Sequence, residues 1–213
     1  DPRHPDPGFA ELYASLPDAN DLWPWLELAQ AAAPPVLYLG IGAGRLAVPL
    51  VNAGVALVGV DSHPRMLERV AQRLPGTELI LQRLEQLDLG RRFDLVMVPS
   101  NILFTQERLR GAAGQLAAGG RLAFELANPH WLRSGEHDGV RVTRFDGNGA
   151  RLEIDYQVLD RTYTQVADIS LIWPEEIDSW LSGAKLLLER IFGQKDAELE
   201  SSPTYYVVAS LIA

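Results

Sequence analysis

Between residues 36 and 126, short apolar runs alternate with segments of helical periodicity. Strands are expected at Val36 to Leu39, Ala56 to Val60, Glu78 to Leu81, Phe93 to Val98 and Arg121 to Leu126. Helices are expected at Arg45 to Ala53, Pro64 to Leu74 and Gln106 to Leu116. Pro64 suits a first helical turn, where its missing N–H is not needed, and Gly119-Gly120 ends the third helix. Strands that are apolar throughout belong in a sheet covered on both faces. The alternation therefore predicts an α/β fold with a mostly parallel, doubly wound sheet.

The flanks read differently. Residues 1 to 8 hold three prolines and a glycine and are expected to be irregular. Phe9, Leu12, Tyr13 and Leu16 have helical spacing, and a second helix is expected from Asp21 to Ala32, stopped by Pro34-Pro35. After the alternating region, Val140 to Phe145, Arg151 to Val158 and Arg161 to Trp173 read as successive antiparallel strands, joined by Asp146 to Gly149 and by a tight turn near Asp160. A helix from Pro174 to Leu181, capped by Gly183, precedes strands at Lys185 to Phe192 and Thr204 to Ile212. The expectation is one domain over 1–213 with a small β insert at 135–173.

Composition narrows the functional classes. The chain is 47% hydrophobic and 22% charged, which places it with globular proteins rather than disordered or membrane ones. No apolar run reaches the roughly 18 residues of a membrane span, and no secretory signal is expected. The chain opens at Asp1 rather than Met, so residues are expected to precede it. A net charge of -9 with scattered arginines argues against nucleic acid, which demands a basic patch. With no cysteine there is no disulfide, thiolate metal site or Cys nucleophile. That fits a cytoplasmic location. The four histidines lack metal-ligand spacing, so no metal is expected.

The main chemical signal is the run Leu37-Tyr38-Leu39-Gly40-Ile41-Gly42-Ala43-Gly44-Arg45, between an expected strand and an expected helix. Glycines there permit a tight turn and close approach of backbone to a ligand. Asp61 ends the next strand, where an acid is placed to accept hydrogen bonds from ribose hydroxyls. The plainer alternative is a tight turn with Asp61 as a helix cap. The dinucleotide pattern G-x-G-x-x-G would need its third glycine at Arg45, so a nicotinamide cofactor is disfavoured.

The G-x-G-x-G spacing resembles the first motif of class I S-adenosylmethionine (SAM) dependent methyltransferases. Asp61-Ser62-His63-Pro64-Arg65-Met66-Leu67, Phe93-Asp94-Leu95-Val96 and Leu116-Ala117-Ala118-Gly119-Gly120-Arg121-Leu122 resemble later motifs of that family, in order. The resemblance implies a seven-stranded sheet of order 3-2-1-4-5-7-6 with the last strand antiparallel, and the insert as a lid. It implies SAM as cofactor and S-adenosylhomocysteine as product. It places Gly40, Gly42, Gly44, Arg45, Asp61, Ser62, Met66, Leu84, Glu85 and Pro99 at the cofactor. Tyr13 falls either over the cofactor, as an N-terminal tyrosine does in similar proteins, or in the core. Two positions depart from the pattern. Tyr38 stands where the family carries an acid for the cofactor's ammonium group, and Arg83 where it often carries an acid near the adenine.

A methyl on a cationic sulfur is already activated, so the protein need only align an acceptor and exclude water. His130, after the fifth strand, is the best candidate for a general base, against the alternative of a loop histidine. His137, Tyr156, Tyr163 and Trp173 either line a substrate pocket or fill the core of the insert. The expected partner is a small-molecule methyl acceptor, through oxygen or nitrogen. The alternative is a catalytically silent family member acting as a binding or regulatory partner.

Overall fold

A computed structural model describes residues 7–135, 137–158, 160–195 and 197–212, without the side chains of residues 7 and 9. Of the stretch expected to be irregular, residues 1–6, with His4, lie outside the described residues. Pro7 and Gly8 instead open the first helix, α1 (Pro7–Ser15), where a proline's fixed φ is compatible with helix.

The alternating region forms the expected elements: β1 (Val36–Leu39), α3 (Ala47–Asn52), β2 (Leu57–Asp61), α4 (Pro64–Arg73), β3 (Glu78–Leu81), β4 (Phe93–Val98), α5 (Gln106–Ala113) and β5 (Leu116–Ala127). Before them stands α2 (Trp25–Gln30), shorter at both ends than expected. After them come α6 (Pro129–Arg133), β6 (Val140–Phe145), β7 (Gly149–Val158), β8 (Arg161–Ser170), α7 (Ile177–Ser182), β9 (Leu186–Phe192) and β10 (Thr204–Leu211). The main sheet runs β3-β2-β1-β4-β5-β10-β9. β1 to β5 are parallel, and β10 is antiparallel to both β5 and β9. This is the expected strand order, with β10 as the antiparallel seventh strand.

Two core layers sandwich the sheet. Leu37, Val96, Phe124 and Val207 meet α5 and α7 through Leu109, Ile177 and Leu181. Val36, Leu57, Met97 and Val208 meet α2, α3 and α4 through Trp25, Leu50 and Val70. Successive strand residues point to opposite faces, so β1, with all four residues buried, serves both layers.

Several element bounds differ from expectation, and one helix was not expected. α5 stops at Ala113, because Gly114 follows and the buried Gln115 amide donates to Leu87 and Gly111 carbonyls at 2.9 and 3.2 Å. Leu116 therefore begins β5 rather than ending α5, and the strand pairing shifts register before Arg121. β8 stops at Ser170, not Trp173. α6 was not expected as a helix; Asn128 caps it by accepting the His130 N–H at 3.1 Å, with Pro129 in its first turn. The insert is a separate antiparallel sheet, β6-β7-β8. Its apolar side, Ala150, Leu152 and Val142, packs with Leu132 and Trp131 of α6.

Candidate cofactor and acceptor site

Ligands in open α/β sheets bind beyond the carboxyl ends of the strands. There the chain turns from β1 into α3 through the three glycines, each with positive φ: Gly40 at 73°, Gly42 at 57° and Gly44 at 87°. The Gly40 and Ile41 N–H groups donate to the Val60 carbonyl at 2.8 and 3.1 Å, pinning the loop to β2. The glycines have different jobs. A Cβ on Gly44 would lie 2.7 Å from Val70 Cγ2, and one on Gly40 2.7 Å from Ile102 Cδ1. A Cβ on Gly42 would meet nothing nearer than 4.0 Å. Gly42 thus leaves open space on the ligand side, while Gly44 lets the loop seat on α4.

Asp61 ends β2 beside this loop. Its carboxylate accepts the Gly42 and His63 N–H groups, each at 2.8 Å. Burial raises the Asp61 carboxyl above its ordinary value, and these two N–H groups act against that. The Ser62 N–H and the charge of His63 act in the same direction. Its two oxygens keep lone pairs for hydroxyl donors. Ser62 follows, half-buried. Met66 is buried in α4 against Ala10, Ala43 and Tyr13, so its nearest neighbours are α1 and the loop. Arg45 donates from Nε to the Pro17 carbonyl at 2.8 Å, holding the segment before α2 over the loop.

On the far side, residues 84–86 form a 3-10 turn after β3. A Cβ at Gly111 would stand 2.1 Å from the Leu84 carbonyl oxygen, so α5 presses directly on this turn. Glu85 accepts from Arg108 Nε at 2.8 Å and lies 3.4 Å from Arg83 Nε. Burial works to raise its carboxyl, but the Arg108 hydrogen bond and both guanidinium charges hold it below the usual range. Arg83, the departure noted in the sequence, thus faces Glu85. Pro99 follows β4, and its carbonyl accepts the Ser100 hydroxyl at 2.6 Å.

Tyr156 of the insert reaches α1 in this region. Tyr156 gives its hydroxyl hydrogen to Gln165 Oε1 at 3.0 Å and accepts from the Tyr13 hydroxyl, also at 3.0 Å. Burial and the Tyr13 bond raise its phenol well above the ordinary value, while the charge of Arg45 acts the other way. The other insert residues lie elsewhere. His137 stacks on Trp131 with centroids 3.3 Å apart, Trp173 donates to the Gly147 carbonyl at 2.8 Å, and Tyr163 is exposed. They belong to the body and surface of the insert.

His130 does not stand alone. Its Nε2 lies 2.6 Å from Glu175 Oε1 and its ring meets Trp173 edge-on at 4.9 Å. One residue the motifs did not point to is Glu125, half-buried in β5. An acid inside the otherwise apolar run Leu122 to Leu126 is the anomaly that marks it.

Residues 36–120 match the family model described as a methyltransferase domain. Over 83 residues the chain is 41% identical to uncharacterized methyltransferases of Mycobacterium bovis and Mycobacterium tuberculosis, a match covering 38% of this chain and 32% of theirs. The chain thus matches about a third of the length of these curated relatives. Solved structures share the fold across nearly the whole chain. A SAM-dependent methyltransferase from Clostridium acetobutylicum superposes with a TM-score of 0.75 at 17% identity, covering 97% of this chain and 98% of that one. The CcbJ methyltransferase of Streptomyces caelestis gives 0.68 at 23%, covering 100% and 98%. The SAM-bound amino pentose methyltransferase CalS10 of Micromonospora echinaspora gives 0.67 at 22%, covering 98% and 93%.

Proposed function

We propose that this chain, which belongs with the class I SAM-dependent methyltransferases by its fold and by the domain matched over residues 36–120, transfers a methyl group from SAM to a small-molecule acceptor. The observation that carries the reading is the pairing of an open Gly42 with a half-buried Asp61 at the carboxyl ends of β1 and β2. The residues fit the cofactor. Gly42 leaves backbone accessible where a side chain would intrude, and Asp61 has lone pairs for two ribose hydroxyls. Leu84 and Glu85, held by Arg108, would border the base, and Pro99 the amino acid end. When bound, SAM supplies a methyl group on a sulfonium, already electrophilic. The protein's part is alignment and exclusion of water. Tyr13 and Tyr156 would cover the site from α1 and the insert. His130 would accept the acceptor's proton. With Nε2 engaged by Glu175, Nδ1 is the nitrogen left for that role. Nitrogen is the favoured acceptor atom, because neighbours of the same fold include an amino pentose methyltransferase and a glycopeptide N-methyltransferase.

Calorimetric titration of SAM and S-adenosylhomocysteine is the direct test, with Asp61→Asn as control. Micromolar binding to the parent and a loss of about tenfold or more in the variant are expected. Transfer of labelled methyl to a panel of amino sugars and other small amines would then identify the acceptor. Tyr38 favours a second reading, a silent family member acting through a partner. Absence of binding by both nucleosides would select it.

A further inference from the structure

The acid missing at Tyr38 has a counterpart two strands away in the sheet. Tyr38 pairs with Met97, and Met97 with Ala123. Continuing that register by two residues sets Gly40, Pro99 and Glu125 side by side across β1, β4 and β5. Glu125 therefore projects on the same face as Tyr38, at the level of the glycine loop, with Tyr206 of β10 directly opposite. Burial raises the Tyr38 phenol, and the charges of Glu125 and Asp61 add to this, while Arg45 opposes it. So the Tyr38 hydroxyl lies in the field of Glu125, Asp61 and Arg45 together.

No arginine, lysine or histidine pairs with this carboxylate among the described residues, and burial is the one influence on its proton affinity, pushing it up to about 7. A partly desolvated carboxylate without a partner is unfavourable in isolation and is offset by a cation brought to it. The amino acid end of the cofactor brings an ammonium.

We propose that Glu125 receives the α-ammonium of the cofactor, supplying from β5 the negative charge that Tyr38 does not supply from β1. This rests on the methyltransferase reading above. Glu125 is on this view a binding residue and takes no proton from the acceptor.

The test compares two ligands on the parent and on Glu125→Gln by calorimetry: S-adenosylhomocysteine, and 5′-methylthioadenosine, which keeps the nucleoside and lacks the amino acid end. The parent should bind S-adenosylhomocysteine about five- to tenfold more tightly at pH 7.5 than at pH 6, because the carboxylate must be ionised to hold the ammonium. Glu125→Gln should lose about tenfold or more at pH 7.5 and show no such rise. Its affinity for 5′-methylthioadenosine should stay within about twofold of the parent's.

Thermal unfolding checks the fold of the variant and the charge itself. The folded-state proton affinity of Glu125 is raised, so ionisation opposes folding as pH climbs from the usual carboxyl range through about 7. At pH 8 ligand-free Glu125→Gln should melt at or above the parent. Equal S-adenosylhomocysteine affinity in parent and variant overturns the inference and leaves the methyltransferase reading standing. An equal loss of both ligands also overturns it, since the defect would not be specific to the amino acid end. If the parent binds neither ligand, the reading falls and the inference with it.

Discussion

Gly44 and Gly42 look alike in the sequence and do different work. Both have positive φ, at 87° and 57°, which alone costs a residue with a Cβ about 1 kcal/mol. Gly44 has a further constraint, the Val70 side chain 2.7 Å from where its Cβ would stand. Val70 is fully buried and cannot yield cheaply. Gly44→Ala is therefore expected to destabilise the fold by about 2–4 kcal/mol, and Gly42→Ala by about 1 kcal/mol. Urea denaturation measures both. Equal losses would mean that the contact with α4 carries no energy. That these positions want glycine is legible in the spacing. Which neighbour enforces each one is not, because Val70 is 26 residues away in sequence.

Asn128 links three elements. Its Oδ1 caps α6, and its Nδ2 donates to the carbonyls of Leu199 and Ser202 at 2.6 and 2.8 Å, tying the end of β5 to the segment that leads into β10. The residue is fully buried. Truncation leaves two carbonyls without a donor and a helix without its cap. Asn128→Ala should therefore cost about 2–4 kcal/mol in chemical denaturation. A loss under about 1 kcal/mol would show that water replaces the amide. In the sequence Asn128-Pro129 reads as the start of a loop after a strand. The cap and helix are visible there only in hindsight, since a five-residue helix offers too few positions for a periodicity. The short α5 has the same origin. Periodicity carries through to Leu116, whereas Gln115 turns inward to bond two carbonyls.

Across the whole molecule, the insert meets the cofactor side through the Tyr13–Tyr156 contact. Tyr156→Phe removes the hydroxyl that joins Tyr13 to Gln165. One such bond contributes about 1 kcal/mol. The amides of β7 and β8 should then exchange with solvent about fivefold faster, with little change in global stability. Unchanged exchange there would mean that packing on α6, not this contact, sets the position of the insert. The chain's alternation of apolar strands and helices by itself determined a mostly parallel, doubly wound sheet and the places of the glycine loop and Asp61, while the strand order came with the family resemblance. Those features rest on local periodicity, turn chemistry and the right-handed crossover of parallel strands, all written in neighbouring residues. Tertiary structure alone decided what surrounds each candidate. It set His130 against Glu175, Glu85 against Arg108 and Tyr156 against Tyr13. Each of those pairs spans from 23 to 143 residues of chain, and a side chain's proton affinity and open lone pairs depend on the neighbours that the finished fold delivers.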